Sequence, residues 1–292
     1  NLRCKGCYAQ ANHARKERME SDPMSAEKWD DIFTQAEALG VLLILLAGGE
    51  PFLRRGVIEQ AAQFHSVIFP VFTNGTLFDE DYFTLFDSYR NLIPVLSIEG
   101  DEEKTDRRRG KGVSEKVWNT AGSLKSREIL YGVSITVTKE NMEAVTESGF
   151  VKKLREHGCG LVFFVEYVPA EEHTEHLVLD DPDLKNLKSR IEFLRNDKNN
   201  KGMIFLSFPG DEEKMGGCLA AGRGFFHINA GGAAEPCPFS PYSEMNLKEQ
   251  SLLTVLQSDF FKQVRGIGRA DAMSRKGGCT LFQKEEEVRL IL

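Results

Sequence analysis

Apolar positions along this chain come in short continuous runs separated by longer amphipathic stretches. Runs of strand length occupy 42–47, 67–73, 92–98, 132–137 and 161–168. Continuous rather than alternating apolarity is the pattern of a parallel strand buried on both faces. The stretches between them have helical spacing. Ser25 can cap a helix whose inner face is Trp29, Ile32, Phe33, Ala36 and Leu39, with Gly40 as its stop. Segments 54–65, 79–89, 114–126 and 141–157 read likewise. A strand followed by a helix recurs five times, which predicts an α/β fold built on a parallel barrel or open sheet. One further strand, the first of such a barrel, is expected before Cys4.

Past residue 199 the pattern changes. Segment 203–208 reads as a strand and 210–217 is polar and glycine-rich. Segments 224–229 and 233–237 form a predicted hairpin through Gly231-Gly232, and a last helix is expected over 251–264. The predicted division is therefore a core over 1–200 and a small α+β region over 201–292. The charged run 101–111 reads as a solvated loop.

Composition narrows the function classes. With 292 residues, 41% of them hydrophobic, the chain can bury a sizeable core. A net charge of −7 gives no support for a nucleic-acid partner. No apolar run approaches the ~20 residues of a membrane helix. No basic segment followed by an apolar one opens the chain, so no secretory signal is visible. Six cysteines in this context are better read as reduced thiolate ligands than as disulfides.

Cys4-Lys5-Gly6-Cys7 is a C-x2-C pair, a spacing shared by structural zinc, redox thiols and iron–sulfur ligation. A cysteine one position before Asn1 would extend it to C-x3-C-x2-C. Residues 1–8 closely resemble the signature loop of the radical S-adenosylmethionine (SAM) superfamily. Gly48-Gly49-Glu50-Pro51, directly after an apolar run, resembles the second signature of that family. The resemblance implies a partial parallel (β/α)6 barrel lacking its first strand here. It implies a [4Fe–4S] cluster held by three thiolates, Cys4 and Cys7 among them, whose open iron chelates SAM. One electron then breaks the sulfonium bond, and the resulting 5′-deoxyadenosyl radical takes a substrate hydrogen.

The same resemblance assigns SAM contacts along the strand ends. Gly48 and Gly49 lack Cβ and let backbone approach the methionine moiety. Glu50, with Pro51 following, would receive the ammonium. Thr73-Asn74-Gly75 and Ser97-Ile98-Glu99-Gly100 match tripeptide and turn positions of the family pocket, with Ser97 bonding SAM. Arg109 would take the SAM carboxylate in its planar fork, with Arg107 and Arg108 adjacent. Ser134 and Thr136 are expected at the ribose and Val168 at the adenine. One departure is Gly6, where many members carry an aromatic residue; Tyr8 follows Cys7 instead.

Cys218, thirteen residues, Gly232, four residues and Cys237 resemble the opening of the SPASM/twitch extension. Pro236-Cys237-Pro238-Phe239, Asn246-Leu247 and the last helix agree with it. This implies a twitch-like domain with one auxiliary cluster on Cys218, Cys237 and Cys279, its fourth ligand not evident. Zinc on three cysteines plus one other ligand is the rival. Cys159 reads as a small buried hydrophobe, and His173 and His176 as surface residues. The resemblance implies modification of a peptide or protein side chain, with a small molecule or tetrapyrrole as the alternative substrate. A SAM- or zinc-binding module without radical chemistry is a further alternative. The oxygen sensitivity of such clusters implies a cytoplasmic, anoxic setting, and the resemblance implies a flavodoxin- or ferredoxin-type electron donor.

Overall fold

A computed structural model describes residues 1–11, 22–270 and 279–292. Five strands make one parallel sheet: β1 Phe69–Thr73, β2 Leu92–Ser97, β3 Gly132–Val137, β4 Leu161–Glu166 and β5 Ile204–Phe208. Each pairs with the next in sequence, in the order β1-β2-β3-β4-β5. Such one-directional winding is that of a barrel wall, without the reversal of a doubly wound sheet. Among the described residues the sheet does not close.

Segment 42–47 only partly meets its expectation. It joins β1 through two isolated parallel bridges, Leu43 to Ile68 and Leu46 to Val71. It is not buried on both faces: Leu42 is 72% exposed and Leu45 45%. The reason is its place at the sheet edge, where no described residue pairs with its outer side. The short hairpin is β6 His227–Ile228 with β7 Ala234–Glu235, antiparallel and narrower than expected.

The helix Ala26–Ala38 begins where predicted, with Ser25 Oγ accepting from Lys28 N at 3.3 Å. Helices Arg55–Ala62, Glu80–Ser88 and Val113–Ser126 follow the predicted order. Segment 141–157 is two helices, Met142–Val145 and Ser148–Glu156. The run 101–111 is not a loop: Glu102–Arg109 is a helix capped by Asp101. Its charges make it one, with Glu102 and Glu103 in the first turn and Arg107, Arg108 and Arg109 in the last, both complementing the helix dipole. Asp181–Asn196, not anticipated, starts on a capping box of Asp180 and Asp183. The expected last helix is split into Leu252–Leu256 and Asp259–Ala270.

Two hydrophobic clusters form. One lies between the sheet and its helices and includes Phe33, Phe69, Phe86, Leu96, Tyr131, Phe164 and the buried Cys159. The other gathers Ala221, Phe260, Phe261 and Val264 with Val168, Ile32 and Ala36. The helix Ala26–Ala38 feeds both, and Trp29 and Ile44 pack against both. The sheet continues past residue 200, because β5 pairs with β4 from Leu161 to Val165.

Candidate active site and a second cysteine site

The loop carrying Cys4 and Cys7 lies over the C-terminal ends of the strands, where parallel α/β folds place their chemistry. Three strand-end segments hold it. Asn74, after β1, donates from Nδ2 to Asn1 Oδ1 at 2.7 Å. Arg108, beyond β2, accepts from Lys5 N at 3.0 Å and donates from Nε to Lys5 O at 3.2 Å. Glu171, beyond β4, accepts from Gly6 N at 2.5 Å. Cys4 and Cys7 are free, partly exposed thiols. Burial raises the Cys4 pKa, while Arg109 and Arg108 pull it back. Cations beside a thiol favour the thiolate that binds metal.

Gly6 has a steric explanation. Its φ is +66°, and a Cβ there would stand 2.2 Å from the Tyr167 hydroxyl oxygen and 2.8 Å from two ring carbons. An aromatic ring therefore does occupy this place, but it comes from the end of β4 rather than from the cysteine loop. Tyr167 is 2% exposed, and its hydroxyl makes no hydrogen bond of ordinary geometry, although Thr174 stands beside it.

Glu99 anchors the cationic side. It is 1% exposed and receives both Arg108 and Arg109 on Oε1, the latter at 2.8 Å from Nε and 2.6 Å from Nη2. Its other oxygen is buried without a partner. Arg109, expected on the SAM carboxylate, thus already spends part of its fork on Glu99, with further N–H donors remaining. Arg107 points elsewhere and pairs with Glu140 at 2.9 Å.

Glu50 is also engaged. It accepts from Thr73 Oγ1 at 2.7 Å, Asn74 N at 2.9 Å, Asn74 Nδ2 and Phe52 N at 3.2 Å. It thereby locks the Gly48-Gly49-Glu50-Pro51 turn to the end of β1. A Cβ on Gly48 or Gly49 would meet nothing within 4 Å, so their backbone faces open space. Ser97 and Ser134 are neighbours in the β2–β3 ladder. Val168 is buried in the second hydrophobic cluster. The cysteine loop, the open glycine turn and two buried polar atoms without partners, Glu99 Oε2 and the Tyr167 hydroxyl, fit a polar cofactor bound beside a thiolate-held cluster.

The C-terminal cysteines also converge. Cys237 and Cys279 are buried and share a hydrogen bond. That bond raises the Cys237 pKa well above its usual value and lowers that of Cys279. Burial, then Glu212, pushes Cys218 up to about 12. Gly232 fits the spacing motif sterically: a Cβ would stand 2.6 Å from Asn246 Oδ1 and 2.8 Å from Met24 Sδ. Among the described residues, no three His, Cys, Asp or Glu side chains close round a point that one metal ion could fill.

Tyr8 stands between the two cysteine sites. Its ring meets Phe239 edge-on at 5.3 Å. Burial, then Cys7, Cys237 and Glu235, raises its pKa to about 12. Nearby, Glu235 is 1% exposed and accepts from Asn229 Nδ2 at 2.6 Å and pairs with His227 at 2.8 Å. The motif reading missed Tyr167, Glu171 and Glu212. Each lies in a segment with no spacing signal; Tyr167 and Glu171 reach the Cys4–Cys7 loop through tertiary contact, while Glu212 lies in the turn that leads into Cys218.

Comparison with known proteins agrees with this geometry. The sequence profile of the radical SAM superfamily matches residues 1–148. The AdoMet-dependent heme synthase of Methanosarcina barkeri is 24% identical over 95% of this chain and 86% of its own length. Sporulation killing factor maturation protein SkfB of Bacillus subtilis is 30% identical over 50% of this chain, a match spanning 35% of SkfB. Streptococcus suis SuiB, solved bound to S-adenosylmethionine, superposes with a TM-score of 0.74 at 19% identity, covering 91% of this chain and 65% of SuiB. SuiB has also been solved bound to its precursor peptide SuiA.

Proposed function

Because the chain belongs to the radical SAM superfamily, and is an enzyme of it, we propose that it modifies a peptide or protein side chain by radical hydrogen abstraction. The family implies a [4Fe–4S] cluster and SAM, which together supply reductive cleavage to a 5′-deoxyadenosyl radical when bound. The observation that carries the reading is the Cys4–Cys7 loop seated at the strand ends beside Arg108, Arg109 and the open Gly48-Gly49 turn.

In this reading Cys4 and Cys7 hold the cluster, and Arg108 and Arg109 stabilise their thiolates. Glu99 keeps both guanidiniums in place. Gly48, Gly49, Glu50 and Pro51 shape the methionine end of the SAM site, with Thr73 and Asn74 fixing Glu50. Ser97 and Ser134 serve the ribose, and Val168 the adenine. Tyr167 supports the cysteine loop from beneath Gly6. Cys218, Cys237 and Cys279 hold an auxiliary cluster. Zinc on the same three cysteines plus one other ligand is the rival. An anoxic cytoplasm and a flavodoxin- or ferredoxin-type donor complete the reading. No helix among the described residues is long and apolar enough to cross a membrane.

SkfB and SuiB, related to maturation and to a precursor peptide by name, support a peptide substrate. A tetrapyrrole is the second reading, favoured by a heme synthase that aligns over 95% of the chain. The test uses the native gene product, loaded anaerobically with iron and sulfide, then given dithionite and SAM. Release of 5′-deoxyadenosine is expected, and its absence from fully loaded enzyme would sink the reading. Deuterium moving from a labelled peptide, rather than a labelled porphyrin, into 5′-deoxyadenosine would decide the substrate class.

A further inference from the structure

The turn Cys237-Pro238-Phe239-Ser240 carries a buried hydroxyl with no place in the chemistry above. Its two ends form an antiparallel pair, and Ser240 N donates to Cys237 O at 2.9 Å. Residues opposed in this way put their side chains on one face, with Cβ atoms about 4.5–5.5 Å apart. Ser240 Oγ therefore stands on the same face as Cys237 Sγ. Both residues are buried, Ser240 at 1% exposure and Cys237 at 2%. Among the described residues Ser240 Oγ has no hydrogen-bond partner. Phe239, inside the same turn, donates its amide to the Cys237 sulfur and sets its ring against Tyr8.

A buried hydroxyl without an acceptor is costly, and native folds keep few of them. A serine hydroxyl carries one donor, and a sulfur bearing negative charge is a better acceptor for it than a neutral thiol. In the metal-free chain the Cys237 sulfur shares a hydrogen bond with Cys279. Cluster binding takes the protons from both thiols, and that bond goes with them. The Cys237 sulfur is then open to a new donor on its own face. We propose that the Ser240 hydroxyl donates a hydrogen bond to the Cys237 sulfur of the auxiliary cluster and raises the reduction potential of that cluster. Reduction adds negative charge to a cluster, and a donor at a ligand sulfur stabilises the added charge. The inference rests on the auxiliary-cluster reading and deepens it by one residue that tunes the cluster without ligating it.

The test uses the full chain carrying Cys4→Ser and Cys7→Ser, so that only the C-terminal cysteines bind. Anaerobic loading with ferrous iron and sulfide should give about four iron and four sulfide per chain. Zinc, or no iron, in this protein overturns the auxiliary cluster itself. With the cluster present, Ser240→Ala in the same background should keep about four iron. Its midpoint potential, titrated anaerobically and followed by electron paramagnetic resonance, should be more negative than the parent's. Ser240→Thr, which keeps the hydroxyl, should stay at the parent's potential. Pulsed spectra in water and in deuterium oxide should show a coupled exchangeable proton in the parent that Ser240→Ala lacks. An unchanged potential, or an unchanged proton spectrum, in Ser240→Ala overturns the hydrogen bond. A three-iron signal from that variant also overturns it, since Ser240 would then be a ligand. Should Ser240→Ala fail to load, the similarly shaped pair Ser240→Thr and Ser240→Val carries the comparison. The valine protein is expected at the lower potential, and equal potentials overturn the proposal.

Discussion

The two cysteine sites of this chain differ in exposure and in the balance of charge around them. Cys4 and Cys7 are partly exposed at the open end of the sheet, with Arg108 and Arg109 against them. Cys237 and Cys279 are buried, and Cys218 has both the Glu212 carboxylate and the Arg223 guanidinium beside it. A cationic, accessible thiolate pair suits a centre that exchanges a cofactor and takes up an electron. A buried set with charges of both signs beside it suits a centre that is assembled once and kept. Tyr8 and Phe239 touch across the gap, so the two environments change within one ring contact.

The largest effect expected is from Cys4→Ser. Iron in the loaded native gene product should fall from about eight to about four per chain, and 5′-deoxyadenosine release should cease. Cys237→Ser should also lose about four iron yet retain 5′-deoxyadenosine release in the absence of substrate. Equal loss of release in both variants would show that the sites do not act separately.

Glu99→Gln comes next. It leaves Arg108 and Arg109 without their buried counter-charge, and breaking a buried pair costs about 3 kcal/mol. The urea midpoint should fall accordingly, while iron at the C-terminal site is unchanged. Loss of iron from both sites would tie them together.

Gly6→Ala should be milder. A clash of one methyl group in a packed place costs about 1–3 kcal/mol, and the positive φ adds strain. The N-terminal site should load iron poorly. Tyr167→Phe removes the atom at 2.2 Å and should restore part of the loading. No improvement in the double variant would show that Tyr167 is not what excludes a side chain at Gly6.

The smallest effect concerns pH in the metal-free chain. Folding raises the Cys218 pKa from 9.0 to about 12, so the folded state favours the neutral thiol. That stability is complete below pH 9.0 and is lost as pH rises toward about 12. The urea midpoint should decline over this window, and Glu212→Gln should reduce the decline. An identical profile in that variant would remove Glu212 from the surroundings of Cys218.

Much of this architecture was legible along the chain. The runs at 67–73, 92–98, 132–137 and 161–168 became β1 to β4, and Ser25 capped its helix, because strand burial and helix capping are local properties. The edge run 42–47 was misjudged, since burial depends on what pairs with its outer side. The helix Glu102–Arg109 was hidden because almost every residue in it is charged, leaving no apolar stripe to read. The spacing of Cys218, Gly232 and Cys237 pointed to a site, and Gly232 shows why: no side chain fits between Met24 and Asn246.

By itself, the sequence determined the order of strands and helices, the two cysteine motifs and the glycine turn at Gly48, all carried by residues close along the chain. Only the tertiary structure decided which side chains complete each site. Tyr167 beneath Gly6 and Arg108 on Lys5 come together because strand ends and loops converge in space. No spacing rule records such convergence, since the distance along the chain between two partners is set by the sheet that separates them.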